Sequence, residues 1–248
     1  PIIESEKVCE RVQKEIELSQ YFLVGSSFVK KSLEYSGVKS EQIYICPYGV
    51  DTSKFYRKAL KIRTESEPIR FVFVGGTKQL KGLSYMLQAF QKVDHTKATF
   101  TIIGADNLYE KLKEKYAKDV NFAGMILHDK MPEVLQDYDV MVFPSLGEGF
   151  SLSMVEAMAC GLPVISSTNT GANDFIENSK NGFIVPIQDT DALVDKMQWF
   201  IKHHEEIPRM GKNAIKTASK LTWNNYHEKV GAAVREIMKH EKESRFVG

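Results

Sequence analysis

The chain has 248 residues, of which 43% are hydrophobic and 26% charged, and its 33 Lys and Arg against 32 Asp and Glu give a formal net charge of +1. This composition is typical of a globular protein and excludes a disordered, fibrous or disulfide-dense chain. The balanced charge also argues against a nucleic-acid partner, because domains that bind duplexes usually carry a basic excess on one face.

The cysteines and the hydropathy pattern bear on the cellular compartment. Three cysteines, Cys9, Cys46 and Cys160, are odd in number and widely spaced, which favours a reducing environment over a disulfide framework. No apolar run approaches the roughly 20 residues that span a bilayer, and no signal segment opens the chain. The sequence therefore predicts a soluble, cytoplasmic protein.

Taken in chain order, the sequence alternates predicted strands with stretches of helical length. Short apolar runs predict strands at residues 21–24, 43–46, 71–74, 99–103, 140–143, 164–166 and 183–185. A helix after the first strand is expected to begin at Ser26 or Ser27 and end at Gly37. Strands that are apolar on both faces and followed by helices predict a doubly wound parallel α/β sheet, with ligands at the carboxyl ends of its strands.

Changes in composition divide the chain into four predicted parts. A polar stretch at residues 56–68 predicts a linker before a main domain at 69–221, and Thr222 is expected to cap a closing helix within residues 222–248. Residues 1–55 hold only two predicted strands, too few for a core of their own. We therefore expect them to be the remnant of a preceding domain whose beginning is absent. An apolar edge at residues 20–46 would then be exposed and available for self-association.

The first candidate binding segment follows the strand at residues 71–74. The P-loop and dinucleotide glycine patterns are absent, since Leu152 stands where the nearest match needs a third glycine. Gly75 and Gly76 nevertheless form a turn with Lys78 and Lys81 close behind. Glycines let a backbone approach a ligand closely, and a lysine supplies a charge for phosphate. An ordinary strand-end turn with solvated lysines explains the same residues equally well.

The second candidate segment runs from the strand at residues 140–143 into a helix of small residues. Glu148 lies in a glycine-rich loop, and Glu156 follows within the first turns of the helix. Free amides near Leu152 form an anion site at the helix start, and Glu156 is placed to accept hydrogen bonds from a diol such as ribose. Alternatively, Ser153 and Glu156 form a capping box, which would make Glu156 purely structural and leave Glu148 as an exposed turn residue.

This second segment resembles a known family. The run EGFSLSMVEAMACGLPVI at residues 148–165 is similar to the E-x7-E signature of the family 4 (group 1) glycosyltransferases, and further markers match in order at residues 26–28, 45–51, 81–83, 138–140, 144–145 and 181–186. The resemblance implies the GT-B fold, in which two Rossmann-like domains face each other across a cleft. This chain would supply the Rossmann-like C-terminal domain that binds a nucleotide-sugar, preceded by a remnant of the N-terminal, acceptor-side domain.

The resemblance also implies roles for individual residues. Lys81 and Glu148 would be the catalytic residues, since Lys81 would neutralise the leaving diphosphate and Glu148 would contact the donor sugar. Gly75 and Gly76 would bind the donor with them, and Glu156 would bind the ribose. Backbone groups that face the donor would belong to Gly149, Phe150, Ser151 and Leu152, with Ile126 meeting the nucleobase. The family retains anomeric configuration and generally needs no metal, so the resemblance implies a nucleoside diphosphate sugar as donor, with no metal and no cofactor.

The sequence departs from the family pattern in several places. Gly76 stands where the family often has an arginine that helps to hold the diphosphate, and whether Lys78 replaces it is left open. Ser151 occupies a position where glycine is common, and Tyr48 one where asparagine is usual. The acceptor-binding residues of an N-terminal domain have no counterpart here.

The function predicted at this point is the donor-binding region of a retaining glycosyltransferase, which moves a sugar to an acceptor hydroxyl in glycan, polysaccharide or glycolipid synthesis. The acceptor would be a glycan, a lipid or a small molecule, and peripheral association with the inner face of the cell membrane stays open. One alternative is a non-catalytic nucleotide-sugar-binding or assembly subunit that works with a separate partner chain. A nucleotide-sugar epimerase is less favoured because the sequence shows no obvious acid/base pair.

Overall fold

A computed structural model of the chain describes residues 6–59, 64, 66–104 and 110–246. Residues 60–63 and 65 of the predicted linker lie outside the described residues. Two strands at the start of the chain, β1 (Phe22–Val24) and β2 (Ile43–Ile45), pair in parallel. A second sheet is formed by β3 (Ile69–Val74), β4 (Ala98–Ile103), β5 (Val120–Gly124), β6 (Val140–Phe143), β7 (Val164–Ser167) and β8 (Gly182–Val185).

The six-stranded sheet is wholly parallel and has the order β5-β4-β3-β6-β7-β8. The chain leaves β3 toward β5 on one side, returns to β6, and continues outward to β8 on the other side. The direction of winding therefore reverses between β3 and β6. In open parallel sheets, ligands bind in the crevice that such a reversal creates at the carboxyl ends of the strands. The predicted doubly wound α/β fold is confirmed, and its switch point lies between the two candidate segments.

Helices flank the sheet. Their bounds are α1 (Glu6–Leu18), α2 (Ser27–Tyr35), α3 (Leu83–Phe90), α4 (Glu110–Tyr116), α5 (Met131–Val134), α6 (Leu152–Ala159), α7 (Thr190–Lys202), α8 (Ile207–Ala218) and α9 (Trp223–Phe246). α3 packs beside α7, and α6 packs beside α8. The core between the layers contains fully buried aromatic side chains, including the rings of Phe73 and Phe143, which stack with centroids 5.5 Å apart.

Local signals placed α2 correctly and missed β5. The Ser26 side chain caps α2 by accepting a 3.4 Å hydrogen bond from Val29 N, and Gly37 ends the helix region with a φ of +91°. β5 escaped prediction because it is an edge strand in which only Val120 is buried. Such a strand lacks the continuous apolar run that identified the buried strands.

The segment that follows β2 packs against the start of α9. Val50 N donates a 2.8 Å hydrogen bond to Leu221 O, and the rings of Tyr48 and Tyr226 lie 5.6 Å apart. Thr222 Oγ1 accepts a hydrogen bond from Asn225 N at the start of α9, which confirms the predicted cap. The closing helix therefore contacts the chain that follows the two-stranded unit.

On the predicted apolar edge, Leu23 and Ile45 keep about two fifths of their surface exposed. Self-association through this edge and the boundaries of the four parts stay predictions.

Candidate functional site

The loops that follow β3 and β6 are tied together at the switch point. Leu80, in a short 3-10 helix at residues 79–81, accepts hydrogen bonds from Leu146 N at 2.8 Å and from Ser145 Oγ at 2.9 Å. Gly82 has a φ of +74°, and a Cβ added to it would lie 1.9 Å from Pro144 O. Only glycine permits this contact, so the two candidate segments are held in one site.

An ion pair joins the two segments. Lys81 Nζ donates a hydrogen bond to Glu148 Oε2, and the side chains are only 24% and 17% exposed. The lysine nitrogen also lies 5.6 Å from the centroid of the Phe143 ring. The sequence separates these charges by 67 positions, and the fold places them side by side at the carboxyl edge of the sheet.

The loop that carries Glu148 is fixed by the segment that follows β7. Glu148 N donates to Asn169 O at 3.1 Å, and Gly171 N donates to Glu148 O at 2.9 Å. Ser167 Oγ donates to Ser145 O just upstream of the loop. Sequence reasoning missed these supporting residues, because nothing in their spacing connects them with the glutamate.

Helix α6 begins at Leu152, with Ser151 in the N-cap position. Ser153 lies inside the first turn, and its Oγ donates to Val74 O at 3.0 Å. The capping-box alternative is therefore wrong, because Ser153 is not the N-cap and its hydroxyl bonds to the end of β3. This bond places the positive N-terminus of α6 beside the Gly75–Gly76 turn, where backbone amides and the helix dipole favour an anion.

Glu156 lies one helical turn beyond Leu152 and is 13% exposed. Its Oε1 is 2.7 Å from His128 Nε2, on the loop that follows β5. The half-buried side chain of Ile126 packs against the core in the same loop. The structure thus brings Ile126 and Glu156 to one region of the edge. His128 was not predicted, and its closeness to Ile126 in the chain was the only available signal.

Two of the predicted donor-binding residues, Gly149 and Phe150, also make contacts that hold the glycine-rich loop in place. The Phe150 ring packs against Tyr48 at 5.4 Å and Phe175 at 5.7 Å, and Gly149 O accepts a hydrogen bond from Ser26 Oγ. These contacts attach the glycine-rich loop to the N-terminal unit, so any donor contact of Phe150 would come from its backbone. The Phe150 side chain belongs to the packing.

The turn that lacks the family's arginine is open. A Cβ added to Gly76 would meet no heavy atom within 4 Å. Lys78 is exposed, and its backbone nitrogen donates to Gly76 O at 2.9 Å. It stays open whether the Lys78 side chain takes the place of the missing arginine.

The parallel sheet with a site at its carboxyl edge is the arrangement of the Rossmann-like α/β proteins. Residues 68–203 match the family model for Glycosyl transferases group 1. Because this match covers more than half of the chain, the protein belongs to the group 1 glycosyl transferases. The narrower assignments to family 4 and to the C-terminal half stay predictions.

Curated relatives support the family. The chain is 30% identical over 173 residues to a UDP-Gal:alpha-D-GlcNAc-diphosphoundecaprenol alpha-1,3-galactosyltransferase of Escherichia coli, covering 63% of this chain and 44% of the relative. It is 30% identical over 185 residues to the D-rhamnosyltransferase WbpZ of Pseudomonas aeruginosa, covering 70% of this chain and 48% of the relative. The chain thus spans about half the length of these relatives.

Solved structures agree on the GT-B fold. Sucrose-phosphate synthase from Thermosynechococcus elongatus superposes with a TM-score of 0.81 at 25% identity, covering 96% of this chain and 65% of that one. HepE from Anabaena, in complex with UDP-glucose, gives a TM-score of 0.77 at 17% identity, covering 90% of this chain and 68% of HepE.

The described residues also bear on metal binding and on membrane spanning. Among the described residues, no group of three or more His, Cys, Asp or Glu side chains could hold a metal ion. Within the same parts of the chain, every helix is too short or too polar to cross a bilayer.

Proposed function

We propose that this chain is the donor-binding region of a retaining glycosyltransferase, which transfers a sugar from a nucleoside diphosphate to an acceptor hydroxyl. One observation carries the proposal. Lys81, Glu148, the N-terminus of α6 and Glu156 all lie at the carboxyl edge of the sheet, around its switch point. Sites of this kind bind nucleotides in many parallel α/β proteins.

The spacing of these groups suits a nucleoside diphosphate sugar. Glu156 lies four positions after Leu152 in the helix, which is an axial rise of about 6 Å. A diphosphate at the helix start can therefore leave its ribose near the Glu156 carboxylate. Because the transferred sugar is attached to the same diphosphate, a phosphate facing Lys81 would place that sugar beside Glu148, the partner of Lys81.

Catalysis in this proposal is electrostatic. The bond between the anomeric carbon and the diphosphate oxygen breaks, the acceptor oxygen forms the new bond on the same face, and its proton passes to the departing diphosphate. Lys81 and the α6 amides stabilise the negative charge that develops on that leaving group. Preorganised donors of this kind contribute about 3 kcal/mol each when they are measured by removal.

The comparisons guide the choice of substrates. HepE was solved with UDP-glucose, and the name of the E. coli relative includes UDP-Gal and a diphosphoundecaprenol acceptor. We therefore propose a UDP-sugar as the first donor to test and a lipid-linked glycan as the first acceptor, used at the cytoplasmic face of a membrane. The residues assigned here belong to the donor side, so we expect this chain alone to bind nucleotide and to transfer little or no sugar.

Thermal unfolding with UDP, GDP and ADP tests the binding site. A nucleotide at 100 times its Kd adds about 2.7 kcal/mol, which raises Tm by about 5–11 °C for a chain of this size. Lys81→Ala and Glu156→Gln should each remove most of that shift, whereas Lys92→Ala, at an exposed lysine paired with Asp191, should keep it. Equal shifts in all three variants would exclude the assigned site, and no shift with any nucleotide in the parent would favour a subunit that does not bind donors.

Product analysis tests the stereochemistry. An active enzyme that includes this chain should give a product whose new glycosidic bond has the anomeric configuration of the donor, as read from the coupling constant of its anomeric proton. An inverted product would exclude the retaining mechanism.

A further inference from the structure

His128 contacts Glu156 but is not one of the proposed donor-binding residues. His128 Nε2 lies 2.7 Å from Glu156 Oε1, with 73% of the His128 side chain exposed and only 13% of the Glu156 side chain. A mostly buried carboxylate thus bonds to a group that reaches it from the solvent side. An ionised carboxylate can only accept, so this contact is a hydrogen bond in the tautomer that carries its proton on Nε2.

The imidazole also contacts an aromatic ring. The rings of His128 and Phe55 lie 5.3 Å apart at 48°, and Phe55 is almost fully buried. His128 also begins a short 3-10 helix at residues 128–130, which follows extended backbone at Leu127. Both rings line an open cavity of about 500 Å³. Packing against Phe55 therefore orients the ring so that Nε2 meets the glutamate.

We propose that His128 is a positioning residue, which holds the Glu156 carboxylate in the orientation that accepts hydrogen bonds from the ribose hydroxyls. This inference rests on the proposed function, since it assumes that Glu156 binds ribose. His128 would not compete with the nucleotide for Glu156, because a carboxylate has about four acceptor positions and His128 occupies one of them on Oε1. The remaining positions can accept from both hydroxyls of a ribose diol.

The benefit of this contact is preorganisation. A glutamate side chain free to rotate must be immobilised when the nucleotide binds, and fixing such a side chain costs enough free energy to weaken binding about three- to tenfold. His128 fixes the carboxylate beforehand. Its loss should therefore raise the Kd for the nucleotide, while the rate of the chemical step, which occurs at the diphosphate, should change little.

Calorimetric titration of the parent and three variants with UDP, GDP and ADP tests the inference. With the nucleotide that binds the parent most tightly, His128→Ala should raise Kd about three- to tenfold. His128→Gln, which keeps a side-chain N–H donor, should restore most of the affinity. Lys130→Gln, on the same exposed 3-10 helix, is the control for general disturbance of the loop and should match the parent.

The decisive comparison uses the 2′,3′-dideoxy form of the same nucleotide, which has no hydroxyls for Glu156. Parent and His128→Ala should bind this analogue equally. If His128→Ala loses the same affinity for both nucleotides, the role of His128 is merely structural and the inference is overturned. Unchanged or tighter binding of the normal nucleotide by His128→Ala would overturn it too. If the parent binds no nucleotide at all, the proposed function fails and the inference fails with it.

Discussion

Replacing Gly82 with alanine tests how the two halves of the candidate site are joined. Gly82 has a φ of +74°, and an added Cβ would lie 1.9 Å from Pro144 O and 2.8 Å from Pro144 C. Both contacts are with backbone, so no side-chain rotation can relieve them. The loop that bears Lys81 must therefore move away from the loop that bears Glu148.

The expected cost has two parts. A left-handed backbone costs an L-residue about 1–2 kcal/mol, and forcing an extra methyl group into packed surroundings costs about 1–3 kcal/mol more. The sum is about 2–5 kcal/mol, which corresponds to a fall in Tm of about 4–20 °C for a chain of this length. Because Lys81 precedes Gly82 directly, nucleotide binding should weaken as well.

Two other glycines separate these contributions. Gly37 has a φ of +91° with no heavy atom within 4 Å of an added Cβ, so Gly37→Ala should show the backbone cost alone. Gly76 has the same open space without a left-handed φ, so Gly76→Ala should be neutral or slightly stabilising. Urea unfolding of the three variants measures the differences. If Gly82→Ala is no less stable than Gly37→Ala, the close approach to Pro144 does not hold the loops together.

Three further predictions concern separate features. Gly76→Arg should tighten UDP binding about tenfold at low salt, because the space at Gly76 is open and charged hydrogen bonds to phosphate are strong. Gly76→Met should not tighten it, and equal UDP affinities of the two variants in calorimetry would refute the prediction. Asn181→Leu should cost about 2–4 kcal/mol in urea unfolding, since the fully buried amide of Asn181 bonds to Phe175 O and Thr217 Oγ1. Burial raises the pKa of Cys160 to about 12 from its usual 9.0, so native alkylation at pH 8 should label exposed Cys9 and spare Cys160. The stabilisation from keeping that thiol protonated is complete below about pH 9 and is lost as the pH rises through about 12, which unfolding curves against pH would show.

Much of the fold could be predicted because buried parallel strands carry a local signal. The apolar runs at residues 71–74, 140–143 and 164–166 coincide with β3, β6 and β7, and Ser26 and Gly37 bound α2 as expected. Each of these features depends on residues adjacent in the chain. β5 was not predicted, because its exposed positions break the apolar run.

The candidate site was harder to predict because its contacts join distant residues. The spacing of Glu148 and Glu156 favoured a donor site, yet the spacing of Ser153 and Glu156 also fitted a capping box. That alternative was excluded by the start of α6 at Leu152 and by the bond from Ser153 Oγ to Val74 O, 79 positions away. No local pattern encodes that bond.

The sequence alone determined the buried strands, the ends of α2, the start of α9 and the residue types at the carboxyl edge, since periodicity, capping and spacing act over a few residues. Only the tertiary structure decided which charged groups meet. The strand order places β3 beside β6, and so pairs Lys81 with Glu148. The return from β5 brings His128 to Glu156. These pairings depend on how the sheet is wound, which is a property of the whole packed chain.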